Sequence, residues 1–414
     1  MQKSVDVVTP MPNNIKDIEY LNNSGHLDYD KFKKIKPYHP FSMEVLNYLN
    51  SLSIEINKSG RLRNYPDVAT FAFFCRKANI MQIKKKLIQP QYVKLGRGIV
   101  FHIAPSNVPV NFAYSLIAGL LSGNCNIVRV PTKNYEQVEI IVDAITRISE
   151  SGEHNEISER IILVRYDRLN NATEYFSSIC DVRILWGGDE TIGRIRENAL
   201  LPRAFDITFA DRYSMCVINA DMYIKEIDPE KIVSGFYNDT FLFDQNACTS
   251  PHLIVWLGTK TNVRKAQAIF WEFLHNIVKS KYQHQPIFAV DKVTSFYRQS
   301  IGMKNIRLAN TKDNLLWRIA LGDLSDDIHE FHCNSGYFSE YHASAISEIA
   351  NIINKKYQTL AYYGLSKEEL KEFIYQQKPI GIDRIVPIGK TADFSLIWDG
   401  YSLIDTLSRV IEII

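Results

Sequence analysis

From about residue 96, short runs of apolar residues alternate with stretches in which apolar positions recur every three or four residues. The runs that predict buried strands are 98–104, 126–130, 160–165 and 181–186. The stretches with helical spacing are 110–121, 135–149 and one that starts near Glu190. Alternating strands and helices form a parallel sheet whose ligand site lies at the strand ends. We therefore expect an α/β fold with a doubly wound, Rossmann-type nucleotide-binding domain.

A helical and irregular region precedes this block, and a second alternating region follows it. The strongest helical signal in the first region is Tyr65–Lys86, which follows a Pro66–Asp67 start signal and predicts one amphipathic packing helix. We expect three domains. Residues 1–90 form a helical region that packs on the nucleotide-binding domain, and residues 91–213 form the nucleotide-binding domain itself, which is completed by residues 381–414. Residues 214–380 form an α/β catalytic domain.

The second region and the C-terminal stretch have weaker patterns. In the second region, a strand is predicted at His252–Trp256 and a helix at Asn262–Ser280. In the last stretch, Arg384–Ile388 has the pattern of a strand, and Ser402–Ile413 has the spacing of a helix.

Composition narrows the class of protein. The 414 residues are too many for one ordinary core, and a formal net charge of +2 gives no field that would favour nucleic acid. No apolar run approaches the ~18 residues of a membrane span, and the N-terminal residues lack a signal core, so we expect a cytoplasmic protein. The six cysteines are scattered without a CxxC pair, so neither a metal site nor a disulfide framework is expected.

Cys248 lies in the most chemically suggestive segment, Asp244-Gln-Asn-Ala-Cys-Thr-Ser-Pro251, a polar turn ahead of an apolar strand. A nucleophilic thiol requires partial exposure and nearby hydrogen-bond donors, and a polar loop supplies both. A structural cysteine in a turn would give the same pattern, so composition alone leaves both interpretations open.

Three turns at predicted strand ends are candidates for cofactor and oxyanion contacts. In Pro105–Asn111, the Asn107 amide is placed to donate to an oxyanion, and Ser106 precedes a helix start that suits phosphate. The cations that follow the strand at 126–130 are Arg129 and Lys133, which suit the 2′-phosphate of NADP. The third turn allows close backbone approach to a dinucleotide through Gly187, Gly188, Asp189 and Gly193. Each pattern also has an ordinary structural explanation: a capped turn for the first, solvent-exposed cations for the second and a common Gly-Gly turn for the third.

The order of these segments resembles the aldehyde dehydrogenase superfamily: an asparagine turn, a basic strand end, a glycine turn and then the cysteine. The resemblance is closer to the acyl-CoA reductase branch, the reductase component of bacterial bioluminescence fatty acid reductase. The segments that carry it are Tyr65–Pro66 with Phe74–Ile80, Asp244–Pro251, Gly381–Lys390 and Trp398–Ile404. It covers residues 60–414, most of the chain.

This resemblance implies roles for individual residues. Cys248 corresponds to the nucleophile, Asn107 to the oxyanion asparagine and Gly188–Gly193 to the cofactor turn, with Asp189 where the oxidising enzymes usually have serine. Oxidising members carry a Glu-Leu-Gly-Gly segment whose glutamate activates the deacylating water. The matching segment here places Phe209 at that glutamate, which suits an enzyme that does not hydrolyse its thioester.

The implied activity is NADPH-dependent reduction of a long-chain fatty acyl thioester to the aldehyde, through an acyl-enzyme on Cys248. The donor is acyl-CoA or an acyl-protein, an acyl-protein synthetase is a candidate partner, and a homo-oligomer is expected. The alternatives are an oxidising aldehyde dehydrogenase that uses NAD, a non-catalytic acyl-binding or scaffold module, and an acyltransferase that uses the same cysteine without hydride transfer.

Overall fold

A computed structural model of the chain describes residues 18–22, 29–88, 92–105, 108–167, 171–309 and 311–414. The chain divides into two compact units. The first unit comprises the residues up to Ala210 together with Tyr401–Ile414, and the second unit comprises Asp211–Gly400. Within the described ranges, no helix is both long enough and apolar enough to span a bilayer.

The bounds of the elements are as follows. In chain order the strands are β1 Glu19–Tyr20, β2 Val93–Gly96, β3 Ile99–Ile103, β4 Cys125–Arg129, β5 Ile161–Arg165, β6 Val182–Trp186, β7 Phe205–Phe209, β8 Tyr213–Asn219, β9 Pro251–Leu257, β10 Ile306–Leu308, β11 Trp317–Leu321, β12 Tyr337–Ala343, β13 Tyr357–Tyr363, β14 Arg384–Pro387, β15 Ile397–Trp398, β16 Tyr401–Ser402 and β17 Ser408–Ile411. The α-helices are α1 Tyr29–Lys33, α2 Met43–Asn57, α3 Pro66–Phe74, α4 Lys77–Leu87, α5 Asn111–Leu121, α6 Glu136–Ser151, α7 Asn155–Ser158, α8 Ala172–Ile179, α9 Asp189–Arg196, α10 Ala220–Tyr223, α11 Pro229–Thr240, α12 Lys260–Lys281, α13 Pro286–Gly302, α14 Lys367–Gln377 and α15 Leu403–Thr406.

The first unit is built on a six-stranded sheet with the order β1-β5-β4-β3-β6-β7. The strands β3 to β7 are parallel, and β1 adds an antiparallel edge to β5. The strand order reverses between β3 and β6, so a crevice is expected beyond the carboxyl ends of these two strands. The doubly wound topology and the four strands predicted in this block are confirmed.

The second unit is built on a seven-stranded sheet with the order β10-β11-β12-β9-β8-β13-β14, parallel except for β10. Every residue of β9 is buried, as is expected of a central parallel strand covered on both faces. The strand predicted at His252–Trp256 is β9 of this sheet, and the helix predicted at Asn262–Ser280 is α12, so both predictions are confirmed. The strand β9 begins three residues after Cys248, so the cysteine lies at the amino end of the sheet.

The bounds of the units differ from the expected domains at the C-terminal end. Residues 381–400 group with the second unit and not with the first, because β14 extends the second sheet. Its residues Arg384 and Pro387 pair in parallel with Thr359 and Tyr362 of β13. Only the chain from Tyr401 returns to the first unit.

Two predicted helices are wrong. The single helix expected over Tyr65–Lys86 is two helices, α3 and α4, because Arg76 between them is extended, with ψ 130°. The helix expected over Ser402–Ile413 is the short helix α15 followed by the strand β17, which pairs antiparallel with β2. The β-branched residues Val410 and Ile411 suit this strand, and their partners lie more than 300 residues away in sequence, beyond the reach of a local pattern.

Candidate active site

The glycine turn lies at the carboxyl end of β6, at the reversal of strand order in the first unit. Gly187 and Gly188 follow Trp186, and Gly188 caps the start of α9. Gly193 lies inside α9, where glycine costs about 1 kcal/mol relative to alanine. A Cβ added at Gly188 or Gly193 would meet no heavy atom within 4 Å, so packing does not require glycine there. The backbone of the Gly187–Gly188 turn is therefore open to a ligand that approaches closely, whereas Gly193 belongs to the helix and not to the predicted turn.

The side chains of the same turn are less suited to an anion. Asp189 and Glu190 place two carboxylates in the first turn of α9. Their negative charge offsets the partial positive charge at the start of the helix, which would otherwise attract a pyrophosphate. Any dinucleotide held here would thus depend on the open glycine backbone more than on the helix end.

The two predicted cations lie at or beyond the carboxyl end of β4. Arg129 and Leu185 of β6 both pair with Ile103 of β3, which places them at one level of the sheet. The Arg129 guanidinium donates to the carbonyl of Tyr166 at 3.1 Å and stacks over its ring at 4.7 Å, so it is partly committed to the fold. Lys133 is exposed and lies 5.0 Å from the ring centre of Tyr135.

The residues predicted for the asparagine turn, Ser106 and Asn107, lie outside the described residues. The turn follows β3, which is the other strand at the reversal of strand order. Their roles stay a prediction from the resemblance.

A series of buried hydrogen bonds, here called the His102 chain, links Trp186 to Ser115, His102 and Asn126. The Trp186 indole donates to the Ser115 hydroxyl at 3.2 Å, which lies 2.7 Å from Nδ1 of His102. Nε2 of His102 lies 3.0 Å from Oδ1 of Asn126. Burial lowers the pKa of His102 to about 4, so its imidazole is neutral, and one tautomer satisfies every bond in this chain. Gly119 makes room for the chain, since a Cβ there would lie 1.8 Å from the Asn126 amide oxygen.

Aromatic rings cover the position that the resemblance compares with a glutamate. Phe209 ends β7 and is buried, and its ring stacks on Trp186 with centroids 3.8 Å apart. Tyr401 meets Phe209 in an edge-to-face contact, with ring centroids 5.9 Å apart. No carboxylate base is present at this position, and the stacked rings make it apolar.

In the second unit, Gln245 clamps the loop that carries Cys248. Asp244 and Gln245 have φ of 51° and 60°, a left-handed conformation that costs about 1 kcal/mol for each such residue. The buried Gln245 amide donates to the carbonyls of Pro251 and Tyr337 at 3.0 and 3.1 Å, and accepts from the N–H groups of Gly336 and Tyr337 at 2.9 and 3.3 Å. Four such bonds, at about 1 kcal/mol each, outweigh the strain and fix the loop.

Five side chains act on the half-buried Cys248. The Ser214 hydroxyl donates to its carbonyl at 2.6 Å and holds the backbone against β8. Burial raises the pKa of the Cys248 thiol to about 12, and the charges of Asp399 and, to a smaller extent, Asp211 add to the rise. The Gln358 amide and the Arg212 guanidinium lower the pKa of the same thiol. The thiol is therefore protonated at neutral pH in the free protein, with a cation and an amide in place to favour its thiolate.

The charged groups around Cys248 are connected to one another. Gln358 donates to the Asp399 carboxylate, and Arg212 donates to the Asp383 carboxylate and, at 2.8 Å, to the carbonyl of Tyr357. Burial also raises the pKa of Asp399, while Gln358 and Arg212 lower it. Protonation of Asp399 would remove the charge that opposes the Cys248 thiolate.

We expect the alkylation rate of Cys248 by iodoacetamide to rise about tenfold per pH unit between about pH 7 and pH 9, because only the thiolate reacts and its fraction grows tenfold per unit below the pKa. The Asp399→Asn variant should react faster at each pH, because it removes a charge that raises the thiol pKa. Mass spectrometry of the Cys248 peptide measures both rates. A rate that levels off below pH 8 would show that the resting thiol is already ionised.

Sequence reasoning did not single out Gln245, Gln358, Asp399, Arg212 or the His102 chain. Gln245 and Asp399 could have been found from the sequence, because Gln245 lies in the Asp244–Pro251 segment and Asp399 lies in the Trp398–Ile404 segment. The contacts of Gln358 and Arg212 depend on strand pairing. The structure brings Arg129 and the glycine turn to one sheet edge of the first unit, and it places Cys248 in the second unit. Among the described residues, no group of three or more His, Cys, Asp or Glu side chains could hold a metal ion.

Comparison with known families settles the family. A family described as acyl-CoA reductase (LuxC) matches residues 15–410 of this chain. The chain belongs to the LuxC acyl-CoA reductase family. The long-chain acyl-protein thioester reductase of Vibrio harveyi is 23% identical to this LuxC family member over 297 residues, which are 71% of the chain and 59% of the relative. The long-chain acyl-protein thioester reductase 2 of Photobacterium leiognathi is 26% identical over 176 residues, 42% of the chain and 35% of the relative. The chain thus spans less than two thirds of the length of these relatives.

Solved structures show the fold of this LuxC family member. Aldehyde dehydrogenase 21 from Physcomitrella patens superposes with a TM-score of 0.64 at 10% identity, over 92% of this chain and 87% of that one. A salicylaldehyde dehydrogenase from Pseudomonas putida G7 gives a TM-score of 0.64 at 12% identity, over 92% and 87%. The fold is that of the aldehyde dehydrogenases, as the sequence predicted.

Proposed function

We propose that this protein reduces a long-chain fatty acyl thioester to the fatty aldehyde with NADPH, through an acyl-enzyme on Cys248. The observation that carries the proposal is the half-buried Cys248 thiol in its clamped loop, with Arg212 and Gln358 acting on the sulfur. Membership of the acyl-CoA reductase (LuxC) family and the two relatives named acyl-protein thioester reductases support the same chemistry.

In the first half of the proposed reaction, the Cys248 sulfur attacks the thioester carbonyl. The thiol proton leaves, the Cys248 sulfur–carbon bond forms, and the bond to the donor thiol breaks, so that the donor departs as a thiolate and is then protonated. Arg212 and Gln358 stabilise the attacking thiolate, and Asn107 is proposed to donate to the oxyanion. The resulting acyl-enzyme keeps the thioester oxidation level.

In the second half, the acyl-enzyme is reduced and the aldehyde is released. When bound, a nicotinamide cofactor would supply the hydride; Gly187, Gly188 and Gly193 would allow its close approach, and Arg129 and Lys133 would hold its 2′-phosphate. Cys248 is the leaving group that frees the aldehyde and returns as thiolate. By the resemblance, Phe209 stands where the oxidising enzymes carry the glutamate that activates water, so we expect the acyl group to persist until it is reduced.

The donor is proposed to be acyl-CoA or an acyl-protein, and an acyl-protein synthetase is a proposed partner. Six free cysteines and NADPH-dependent chemistry suit a reducing, cytoplasmic location. Assembly into a homo-oligomer is likewise a proposal.

Product analysis tests the proposed function. We expect purified protein with NADPH and acyl-CoAs of graded length to form aldehyde, with stoichiometric NADPH oxidation and a maximum at long chains. NADH should support a lower rate, because it lacks the 2′-phosphate. Aldehyde oxidation with NAD in the absence of CoA, without any thioester reduction, would favour the oxidising dehydrogenase instead.

A further inference from the structure

A cavity of about 460 Å³ opens in the second unit between α13 and the loop that precedes β12. The residues that line it are Asn246, Phe288, Asp291, Thr294, Ser295, His332, Cys333, Asn334 and Ser335. Its volume lies within the range of roughly 300–1,000 Å³ that is usual for small-molecule sites. None of the residues that line this cavity takes part in the proposed mechanism.

The cavity adjoins the loop that carries the nucleophile. Asn246 lines it and lies two residues before Cys248, so their Cα atoms are at most about 7.6 Å apart. The Asn334 amide donates to the Asn246 side chain, and the N–H of Ser335 donates to the carbonyl of Asp244 at 3.0 Å. The cavity lining and the cysteine loop thus form one hydrogen-bonded structure.

The lining suits a ligand with amides and hydroxyls. Side-chain amides and hydroxyls dominate it, and Phe288 is the one large apolar side chain among the residues that line it. An alkyl chain here would strip water from the amides and hydroxyls of the lining that reach solvent, such as those of Asn246 and Thr294, at about 1–3 kcal/mol for each group left unpaired. A fatty acyl chain is therefore a poor occupant.

We propose that this cavity binds the pantetheine arm of an acyl thioester, the amide-bearing chain that coenzyme A and acyl carrier proteins share. The arm is long, polar and uncharged between its phosphate and its sulfur, which matches a lining of amides and hydroxyls. Asp291 disfavours the phosphate, so the arm's neutral segment occupies the cavity, with its thioester end at the loop that carries Cys248. This inference rests on the proposed function and assigns the donor thiol its own site.

The test compares thioesters with and without the arm. Thr294→Trp adds bulk at an exposed position of α13 that lines the cavity, and Ile301→Trp adds the same bulk to the same helix away from the lining. We expect Thr294→Trp to raise KM for an acyl-pantetheine thioester at least about tenfold, equivalent to about 1.4 kcal/mol. KM for the S-ethyl thioester of the same acid, and both KM values of Ile301→Trp, should stay unchanged. Acyl-CoA and an acyl carrier protein should show the same loss in Thr294→Trp.

A second variant removes a polar group without adding bulk. Ser295 lines the cavity from α13 and is half-buried, and Ser295→Ala deletes its hydroxyl in a helix, where alanine is favoured. KM for acyl-pantetheine should rise in this variant and KM for the S-ethyl thioester should not, while the alkylation rate of Cys248 confirms that the loop is intact.

Equal effects on both thioesters, or no effect on either, would overturn the assignment. A loss in Thr294→Trp that grows with acyl chain length would show that the cavity holds the fatty chain instead. If the wild-type protein makes no aldehyde from any thioester, the proposed function fails. If the wild type reduces both thioesters and the variants do not discriminate, only the pantetheine site fails.

Discussion

Replacing Cys248 with alanine should lower the rate of aldehyde formation by roughly 10⁴-fold or more and abolish the covalent acyl adduct. Loss of a nucleophile removes the step that every later step requires, and such losses span several orders of magnitude. The residue is half-buried in a loop fixed by the Gln245 clamp, so truncation to alanine should leave the fold intact. Steady-state aldehyde formation and intact-protein mass spectrometry measure the two effects.

A matched control separates chemistry from folding. Cys180→Ala removes a thiol buried in the core of the first unit and should keep both aldehyde formation and the adduct. Cys248→Ala should bind NADPH with wild-type affinity, measured by cofactor fluorescence. Aldehyde formation by Cys248→Ala within tenfold of wild type would assign the acyl group to another residue.

Replacing Phe209 with glutamate should convert much of the reductase flux into free fatty acid. At this position the oxidising aldehyde dehydrogenases that the sequence resembles carry the glutamate that activates water, and general bases contribute about 10²–10⁴-fold. We expect acyl-enzyme hydrolysis to rise by roughly 10²-fold, measured as free acid released from acyl-CoA without NADPH.

The control for this prediction is Phe209→Gln, which opens the same stack on Trp186 but cannot accept a proton from water. Phe209→Gln should release little free acid. Equal acid release by the two variants would mean that the aromatic stack excludes water by bulk alone, and no acid release by either would contradict the assigned role of position 209. Thermal unfolding of both variants checks the cost of a polar group at a buried site.

Local patterns predicted the central strands well because a strand buried on both faces of a parallel sheet is a continuous apolar run. The strands at 98–104 and 181–186 are of this kind, and every residue of β3 and β6 is buried. Patterns failed where distant pairing decides the structure. Ser402–Ile413 has helical spacing, but β17 gains a partner in β2 across more than 300 residues.

In the candidate site, too, local features were predicted and contacts between distant segments were not. Cys248 and the glycine turn stand out because polar loops at strand ends are visible in sequence. The side chains that act on Cys248 could not be predicted, because Gln358 and Arg212 reach the cysteine loop only through the pairing of β13 with β8. Likewise, His102 and Trp186 look like ordinary core residues until Ser115 joins them.

The most direct measurement is the site of acylation. The protein is incubated with a radiolabelled or mass-tagged long-chain acyl-CoA in the absence of NADPH, digested, and sequenced by tandem mass spectrometry. We expect one thioester adduct, on the peptide that contains Cys248, which disappears when NADPH is added and yields aldehyde in equal amount. A label on any other cysteine, or no label while aldehyde still forms, would show that Cys248 is not the nucleophile.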